Sequence, residues 1–230
     1  MLIHRLALYY VPAADDPLTR AGNAWLGRDP VGGAPPPRPA TPGLDLPALT
    51  AAPARYGFHA TLKPPFRPRA PADDVLPAAL TAIERLAARH RRTALPPLRL
   101  DDLDGALALT LAAPCPALHA LCDDAVASLD HLRAPAPPEE HARRRAAGLD
   151  PAQEAMLQRW GYPYVMGCWR FHITLTGRLD EAHAAAAPRC AAVHFGPHLA
   201  TARRLDTIAL FIEPTQGAPL VLHSRHLLAE

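Results

Sequence analysis

Residues 55–66 read RYGFHATLKPPF and residues 168–179 read CWRFHITLTGRL, so the phrase FHxTL occurs at residues 58–62 and again at 171–175. In both copies apolar residues alternate with a histidine and a threonine, which is the period of a β-strand with one buried face. The chain therefore contains two strands of the same design, the pattern of an internal repeat.

These two motif strands are predicted near residues 57–63 and 169–176. One face of each strand is apolar and is expected to pack into a core. The opposite face carries an imidazole beside a hydroxyl in both copies: His59, Thr61 and Lys63 in the first, and His172, Thr174 and Thr176 in the second, with Arg170 just before. We expect these side chains to be available to a ligand.

The order strand, helix, strand, strand follows both motifs and predicts a duplicated architecture. Duplicated units commonly pack about a pseudo-two-fold axis, which would bring the two polar faces together. We therefore expect one α+β domain, residues 1–230, made of two lobes. Their antiparallel sheets, related by the pseudo-two-fold axis, would line a central cleft, with the helices outside.

Periodicity and capping residues predict the remaining elements. Strands are expected at residues 2–11, 98–100, 106–111, 205–212 and 219–223, and helices at 17–27, 71–92, 115–132, 138–147, 150–160 and 179–192. Residues 28–42 are rich in proline and glycine. They are expected to form a loop that serves as a lid or rim of the cleft.

Two histidines that face each other across a cleft suit the chemistry of a phosphodiester. One neutral imidazole can deprotonate an attacking water or hydroxyl while the other, protonated, donates to the leaving oxygen, because a free imidazole has a pKa of about 6.5. Thr61 and Thr174 would donate hydrogen bonds to the non-bridging oxygens, and Lys63 would offset developing charge. Neither a metal nor a cofactor is needed, and the residue pattern leaves open which histidine is the base.

The paired HxT motifs resemble those of the 2H phosphoesterase superfamily of cyclic phosphodiesterases and RNA 2′,5′-ligase-like proteins. The longer phrases RYGFHATLKPPF and WGYPYVMGCWRFHITLTGRL, with WLGRD at residues 25–29, are similar to the branch associated with phosphonate metabolism. This resemblance implies the bilobal fold, His59 and His172 as acid and base, and Thr61 and Thr174 as phosphate ligands. It further implies the opening of a cyclic phosphate without metal, with a ribose cyclic phosphate from phosphonate breakdown as one substrate.

Four residues that precede the motif strands are also candidates for substrate contact. Arg55 and Tyr56 come before the first motif, and Tyr162 and Tyr164 before the second. We expect them to line the cleft, where a tyrosine can stack on a base or bond a phosphate. A tyrosine buried in the core with a satisfied hydroxyl is an equally good interpretation of each.

Composition narrows the choice of partner. The chain has 230 residues, 49% hydrophobic and 20% charged, with a formal net charge of +2. Such a chain forms a globular domain and has neither a polyanion-binding surface for DNA nor a segment that spans a membrane. Its four cysteines form no CxxC pair, and its apolar N-terminus alternates unlike a signal peptide. We expect a cytoplasmic protein with a small phosphorylated substrate.

Other functions remain open at this point. The same cleft could bind RNA ends or act as a 2′,5′-RNA-ligase-like module, although 6% aromatic residues offer few stacking platforms for long RNA. A non-catalytic sensor of a phosphorylated metabolite would need hydroxyls and cations more than two titratable bases. A zinc hydrolase fits least, because the HxT spacing brings no carboxylate ligand.

Overall fold

The computed structural model describes residues 2–230. Its strands are β1 Arg5–Tyr10, β2 Ala60–Phe66, β3 Thr93–Leu95, β4 Leu98–Leu103, β5 Ala106–Leu111, β6 Ile173–Arg178, β7 Arg203–Leu205, β8 Thr207–Glu213 and β9 Val221–Leu227. Its helices are α1 Pro17–Leu26, α2 Leu46–Ala54, α3 Ala72–Arg89, α4 Pro116–Ser128, α5 Pro138–Arg145, α6 Pro151–Trp160, α7 Glu181–Ala184 and α8 Ala186–Leu199. Short 3-10 turns lie at Asp130–Leu132 and Met166–Cys168.

The main sheet has seven strands in the order β4-β5-β6-β2-β1-β8-β9, all antiparallel to their neighbours. The predicted α+β class with antiparallel sheets is confirmed. The two predicted sheets are joined edge to edge, because the motif strands β2 and β6 pair at one position, Ala60 with Ile173. A separate two-stranded sheet is formed by β3 and β7.

The connections between the two halves of the main sheet are crossed. After β2 the chain forms the hairpin β4-β5, which pairs with β6. After β6 it forms β8 and β9, which join β2 through β1. The strands that follow each motif are therefore found in the half of the sheet that holds the other motif, with β1 between β2 and β8.

Both motif strands carry an irregularity directly after the motif threonine. Tyr9 of β1 pairs with Thr61 and the adjacent Leu8 pairs with Lys63, so two steps in β2 match one step in β1. In β6 the pairing likewise shifts between Thr174 and Arg178. A β-bulge re-aims the side chains beyond it, so the alternation that holds at the motif does not continue past it.

The core lies on the face of the sheet that carries the apolar residues of both motifs. Leu62, Ile173 and Leu175 are fully buried there, together with Leu8 from β1. Helix α3 contributes the predicted stripe of Val75, Ala79, Ile83 and Leu86 to this core. The apolar period of the sequence thus identifies the buried faces correctly, and it leaves the opposite face free for the histidines.

Helix α2 was not predicted. Asp45 caps it by accepting a hydrogen bond from Ala48 N at 3.1 Å. Its sequence LPALTAAPA contains two prolines, which disfavour a helix interior. Here Pro47 lies at the tolerated start of the helix and Pro53 near its end. The helix packs against β6 and so supports the second motif strand.

The loop of residues 28–42 is tied down at both ends by arginines. Arg28 donates hydrogen bonds to Ala54 O and Arg55 O, at 3.0 Å each, and also to Leu220 O. Arg38 donates to Trp25 O at 2.6 Å and Leu26 O at 3.0 Å. The loop therefore braces the segment leading into the first motif, and none of its residues lines the cavity described below.

No helix within residues 2–230 is long and apolar enough to cross a lipid bilayer.

Candidate active site

A cavity of about 750 Å³ opens on the polar side of the junction between β2 and β6. It brings together residues from both motif strands and from the segment before the second one. Six of the predicted site residues line it: Thr61, Tyr162, Tyr164, Arg170, His172 and Thr174. His59 adjoins it, since its Nε2 lies 3.1 Å from the Thr61 hydroxyl.

His59 is fixed by hydrogen bonds at both ring nitrogens. Its Nδ1 lies 2.9 Å from Gly57 O. A carbonyl oxygen can only accept, so Nδ1 carries the proton and the neutral ring presents an unprotonated Nε2. That nitrogen accepts from the Thr61 hydroxyl. Gly57 has a φ of 82°, a conformation that favours glycine, and this turn aims the carbonyl at the ring.

His172 is held in the same way. Its Nδ1 donates to Arg170 O at 2.9 Å, so that in both motifs the imidazole is bonded to the carbonyl two residues before it. The proton on Nδ1 again leaves Nε2 as the free nitrogen. The two motifs therefore offer two imidazoles of the same tautomer, each able to accept a proton at Nε2 and, once protonated, to deliver it from there.

The electrostatic setting of His59 favours its neutral form. Burial lowers the pKa of His59 to about 4, and proximity to the charge of His172 lowers it further, while the bond to Gly57 O acts in the opposite direction. A free site at neutral pH therefore holds an uncharged His59.

Lys63 does not face the cleft, and the prediction that it does is wrong. Its side chain is buried, with Nζ donating to Val126 O at 2.8 Å and to Asp130 at 3.2 Å. The β-bulge after Thr61 breaks the alternation of the strand, so the Lys63 side chain does not share the face of His59 and Thr61. Burial lowers the pKa of Lys63 to about 8, and Asp130 opposes that shift.

Arg55 does not line the cavity either. Its guanidinium pairs with Glu213, a fully buried carboxylate that also binds Arg5 and accepts from Gly217 N at 2.8 Å. Sequence reasoning could not find this partner, because Glu213 lies on β8, far along the chain. Tyr56 lies behind His59, with ring centroids 6.2 Å apart, and is likewise absent from the cavity wall.

Tyr162, Tyr164 and Arg170 form the wall contributed by the segment before the second motif. The two tyrosine rings meet edge to face at 5.8 Å, and the Arg144 guanidinium lies 4.5 Å from the Tyr162 ring centre. Burial raises the pKa of Tyr162. Tyr164 and Arg170 are exposed, so they stand at the mouth of the cavity.

Two tryptophans that sequence reasoning did not assign tie the motif strands together. Trp169 Nε1 donates to Thr61 O at 2.8 Å, and Trp25 Nε1 donates to Leu175 O at 3.0 Å. Trp25 belongs to the WLGRD segment, whose Arg28 also braces the approach to the first motif. The tryptophan in this segment could have suggested a structural role from the sequence, because a buried tryptophan usually finds a hydrogen-bond partner for its N–H group.

Tyr9 is a further residue that was missed. It lies on β1 directly opposite Thr61, and its ring stacks on the His59 imidazole at a centroid distance of 3.7 Å. The alternation of RLALYY in β1 predicts which face of the strand carries Tyr9. It does not predict that His59 lies beside it, because the pairing of strands distant in sequence cannot be read from a local pattern.

A second cavity, of about 870 Å³, adjoins the first and shares Leu103, Trp169 and Arg170 with it. Across residues 2–230, no three His, Cys, Asp or Glu side chains cluster as metal ligands do.

Two HxT motifs on neighbouring central strands, each presenting a histidine and a threonine at a shared cavity, define a member of the 2H phosphoesterase superfamily. This arrangement agrees with the resemblance seen in the sequence. More specifically, residues 61–221 match the family model described as "Protein of unknown function (DUF1045)", and the chain belongs to that family.

Two curated relatives are both described as ribose 1,5-bisphosphate phosphokinase PhnN. The one from Janthinobacterium sp. (strain Marseille) is 38% identical over 224 residues, covering 94% of this chain and 49% of the relative. The one from Laribacter hongkongensis (strain HLHK9) is 36% identical over 214 residues, covering 93% and 49%. The chain thus spans about half the length of these relatives.

Among solved structures, a phosphoesterase matches with a TM-score of 0.47 and 11% identity over 99% of both chains. Escherichia coli LigT complexed with 3′-AMP matches with a TM-score of 0.46 and 14% identity over 99% of both chains.

Proposed function

We propose that this protein is a phosphodiesterase that opens a small cyclic phosphate by two-histidine acid–base catalysis. The observation that carries the proposal is the shared tautomer of His59 and His172, each with Nδ1 bonded to the carbonyl two residues before it and Nε2 left unprotonated. The arrangement serves both proton transfers of a phosphodiester hydrolysis without a metal, because one nitrogen accepts and the other delivers.

The phosphate would bind between the two motif threonines. Thr61 and Thr174 both line the cavity, and their hydroxyls would donate to the two non-bridging oxygens. The Thr61 hydroxyl, which now bonds His59 Nε2, rotates freely enough to change partners when the anion arrives. Such donors stabilise the charge that develops on phosphorus-bound oxygens in the transition state.

The burial of His59 supports one division of the two proton-transfer roles. His59, held neutral in the free protein, takes a proton from water as the water oxygen attacks phosphorus. The bond from phosphorus to one ring oxygen breaks, and protonated His172 delivers its proton to that leaving oxygen. The product is a phosphate monoester with a free hydroxyl, and the two histidines have exchanged protonation states.

The substrate that fits best is a ribose cyclic phosphate or a related nucleotide. The curated relatives are described by an activity on ribose 1,5-bisphosphate, which supports a phosphorylated pentose. A phosphokinase built on a P-loop needs a GK[ST] sequence. The single lysine of this chain, Lys63, stands in TLKPPF and is buried, so this chain's residues favour the diesterase over the kinase.

An RNA-end-binding or 2′,5′-ligase-like activity is the second candidate. It is favoured by the exposed ring of Tyr164 and the exposed Arg170 at the mouth of the cavity, since single-stranded RNA ends stack on aromatic rings and pair with arginine. A short RNA with a 2′,3′-cyclic phosphate terminus, tested beside the mononucleotide, distinguishes the two candidates.

The decisive experiment is a turnover screen with and without EDTA. Wild type, His59→Gln, His172→Gln and the control His223→Gln are incubated with ribose 1,2-cyclic phosphate and with adenosine 2′,3′-cyclic phosphate. His223 is an exposed histidine on β9, outside the cavity lining. We expect EDTA-resistant opening by wild type and the control, and loss of about 10²–10⁴-fold in the other two. Wild-type activity in either of the two motif variants would refute the mechanism.

A further inference from the structure

Tyr9 has a position that the mechanism above does not use. It lies on β1 opposite Thr61, its side chain is fully buried, and its ring is 28° from parallel to the His59 imidazole at 3.7 Å. On its other side it packs against Phe211 at 4.9 Å. The His59 ring is thus covered on one face by an aromatic surface that cannot move away.

We propose that Tyr9 is a positioning residue that holds the His59 imidazole in its catalytic orientation and tautomer. The inference rests on the proposed function, and it adds the means by which the first histidine is kept in place. The hydrogen bond to Gly57 O fixes the ring within its plane, but it permits rocking about the bond axis. A stacked ring opposes that rocking, and it remains in place when the Thr61 hydroxyl leaves Nε2 to bind the phosphate.

The stack also controls the surroundings of the proton. Tyr9 excludes water from one face of His59, and loss of hydration favours the neutral imidazole. During turnover the ring gains a proton, and the π-face of the tyrosine then lies against a cation, which is a favourable contact. Tyr9 thereby favours a neutral ring before the reaction and tolerates a charged one during it.

The aromatic ring, rather than the hydroxyl, carries this role. The Tyr9 hydroxyl is buried and has no hydrogen-bond partner among residues 2–230. An unpaired buried hydroxyl destabilises the fold. Tyr9→Phe should therefore preserve positioning and raise the melting temperature, whereas Tyr9→Met keeps an apolar side chain but removes the flat surface.

Tyr10 provides a matched control. It is the adjacent residue on β1 and is also buried, but it belongs to the core on the opposite face, where it packs near Phe171. Tyr10→Met removes the same kind of ring from the same strand without touching His59.

The test uses ¹⁵N and ¹³C NMR of the histidine rings in the full chain without substrate, with His59 assigned by comparison with His59→Gln. We expect one Nδ1-protonated tautomer of His59 in wild type, Tyr9→Phe and Tyr10→Met, and ring-current-shifted His59 signals in wild type. In Tyr9→Met we expect mixed tautomers and a titration midpoint moved towards that of free imidazole. On a substrate turned over by wild type, kcat should fall about tenfold or more with little change in KM.

A folded Tyr9→Met protein with wild-type tautomer, titration and kcat would overturn the proposal, as would equal effects in Tyr10→Met. If Tyr9→Met does not fold, wild-type His59 signals without an upfield ring-current shift would overturn it, and a shift retained in Tyr9→Phe would support it. The NMR experiment does not require a substrate. Failure of every cyclic phosphate as a substrate would thus count against the diesterase and leave the positioning result standing.

Discussion

Lys63 and Thr176 occupy equivalent positions, two residues beyond the motif threonines, and both side chains point into the protein. Lys63 Nζ donates to Val126 O, and the Thr176 hydroxyl accepts from Leu107 N at 3.0 Å. Because both motif strands bulge at this point, the polar face presented to a ligand ends at Thr61 and Thr174, and the prediction that Thr176 belongs to that face is wrong.

Lys63→Met should leave catalysis nearly intact. The lysine has no place in the cavity wall, so its loss should lower stability rather than activity. Removing one partner of a buried ion pair is destabilising, and Val126 O would lose its donor. Asp130 would keep its bond from Arg133 at 2.8 Å. We expect kcat/KM within about threefold of wild type, measured by initial rates. If kcat/KM fell by several orders of magnitude in a folded variant, Lys63 would have a direct part in catalysis.

Thr61→Val and Thr174→Val should weaken phosphate binding and slow turnover. Each removes one donor to the anion, with an expected cost of about 1–3 kcal/mol in kcat/KM. Inhibition by the monoester product reports the binding component separately. Thr176→Val is the matched control, because it should lower the melting temperature by leaving Leu107 N unpaired and leave kcat/KM unchanged. If kcat/KM fell equally in all three variants, Thr61 and Thr174 would have no special role in phosphate binding.

Stability should fall as the pH is lowered from about 6.5 towards 4, and His59 should account for part of that fall. The pKa of His59 is about 4 in the folded protein and about 6.5 when unfolded. Between these values the unfolded chain binds more protons, so the free energy of unfolding rises with pH. The contribution is at most on the order of 3 kcal/mol.

Urea unfolding at pH 4.5 and pH 7.5 measures this effect. His59→Gln should show a smaller difference between the two pH values than wild type or His223→Gln. An unchanged difference in His59→Gln would mean that His59 titrates normally in the folded protein.

Trp169→Phe should loosen the junction of the motif strands. The variant keeps an aromatic ring but loses the bond to Thr61 O, leaving a carbonyl unpaired at a cost of about 1–3 kcal/mol. We expect a lower melting temperature together with a fall in kcat, because the strand that carries His59 and Thr61 is less firmly held. Trp160→Phe, at the end of α6, is the control. A fall in kcat of the same size in Trp160→Phe would show that the effect is not specific to the junction.

The sequence was sufficient to predict the two motif strands, their buried faces and most of the helices, because these depend on local periodicity and caps. His172 and Thr174 line the cavity as expected, with Thr61 beside His59. Lys63 could not be placed correctly, because a bulge depends on pairing with a distant strand. Arg55 was misplaced for a related reason, since its partner Glu213 is brought close only by tertiary structure.

Helix α2 and the pairing that joins the two predicted sheets were also missed by the sequence analysis. Pro47 and Pro53 argue against a helix in the sequence, but they lie near the start and the end of α2, where proline is tolerated. The single pairing of Ala60 with Ile173 leaves no periodic trace in the sequence. It nevertheless places the two histidines side by side, each one residue before its strand, because β2 and β6 begin later than the predicted residues 57 and 169.

The crossed connections between the halves of the sheet have a consequence for how the protein is made. The half that contains β1 and β2 is completed by β8 and β9 from the other end of the chain, whereas the half made of β4, β5 and β6 is continuous in sequence. A nascent chain must therefore wait for its C-terminal strands before the first-made half is finished. High sequence separation of contacts slows folding, and premature truncation would leave open strand edges prone to aggregation.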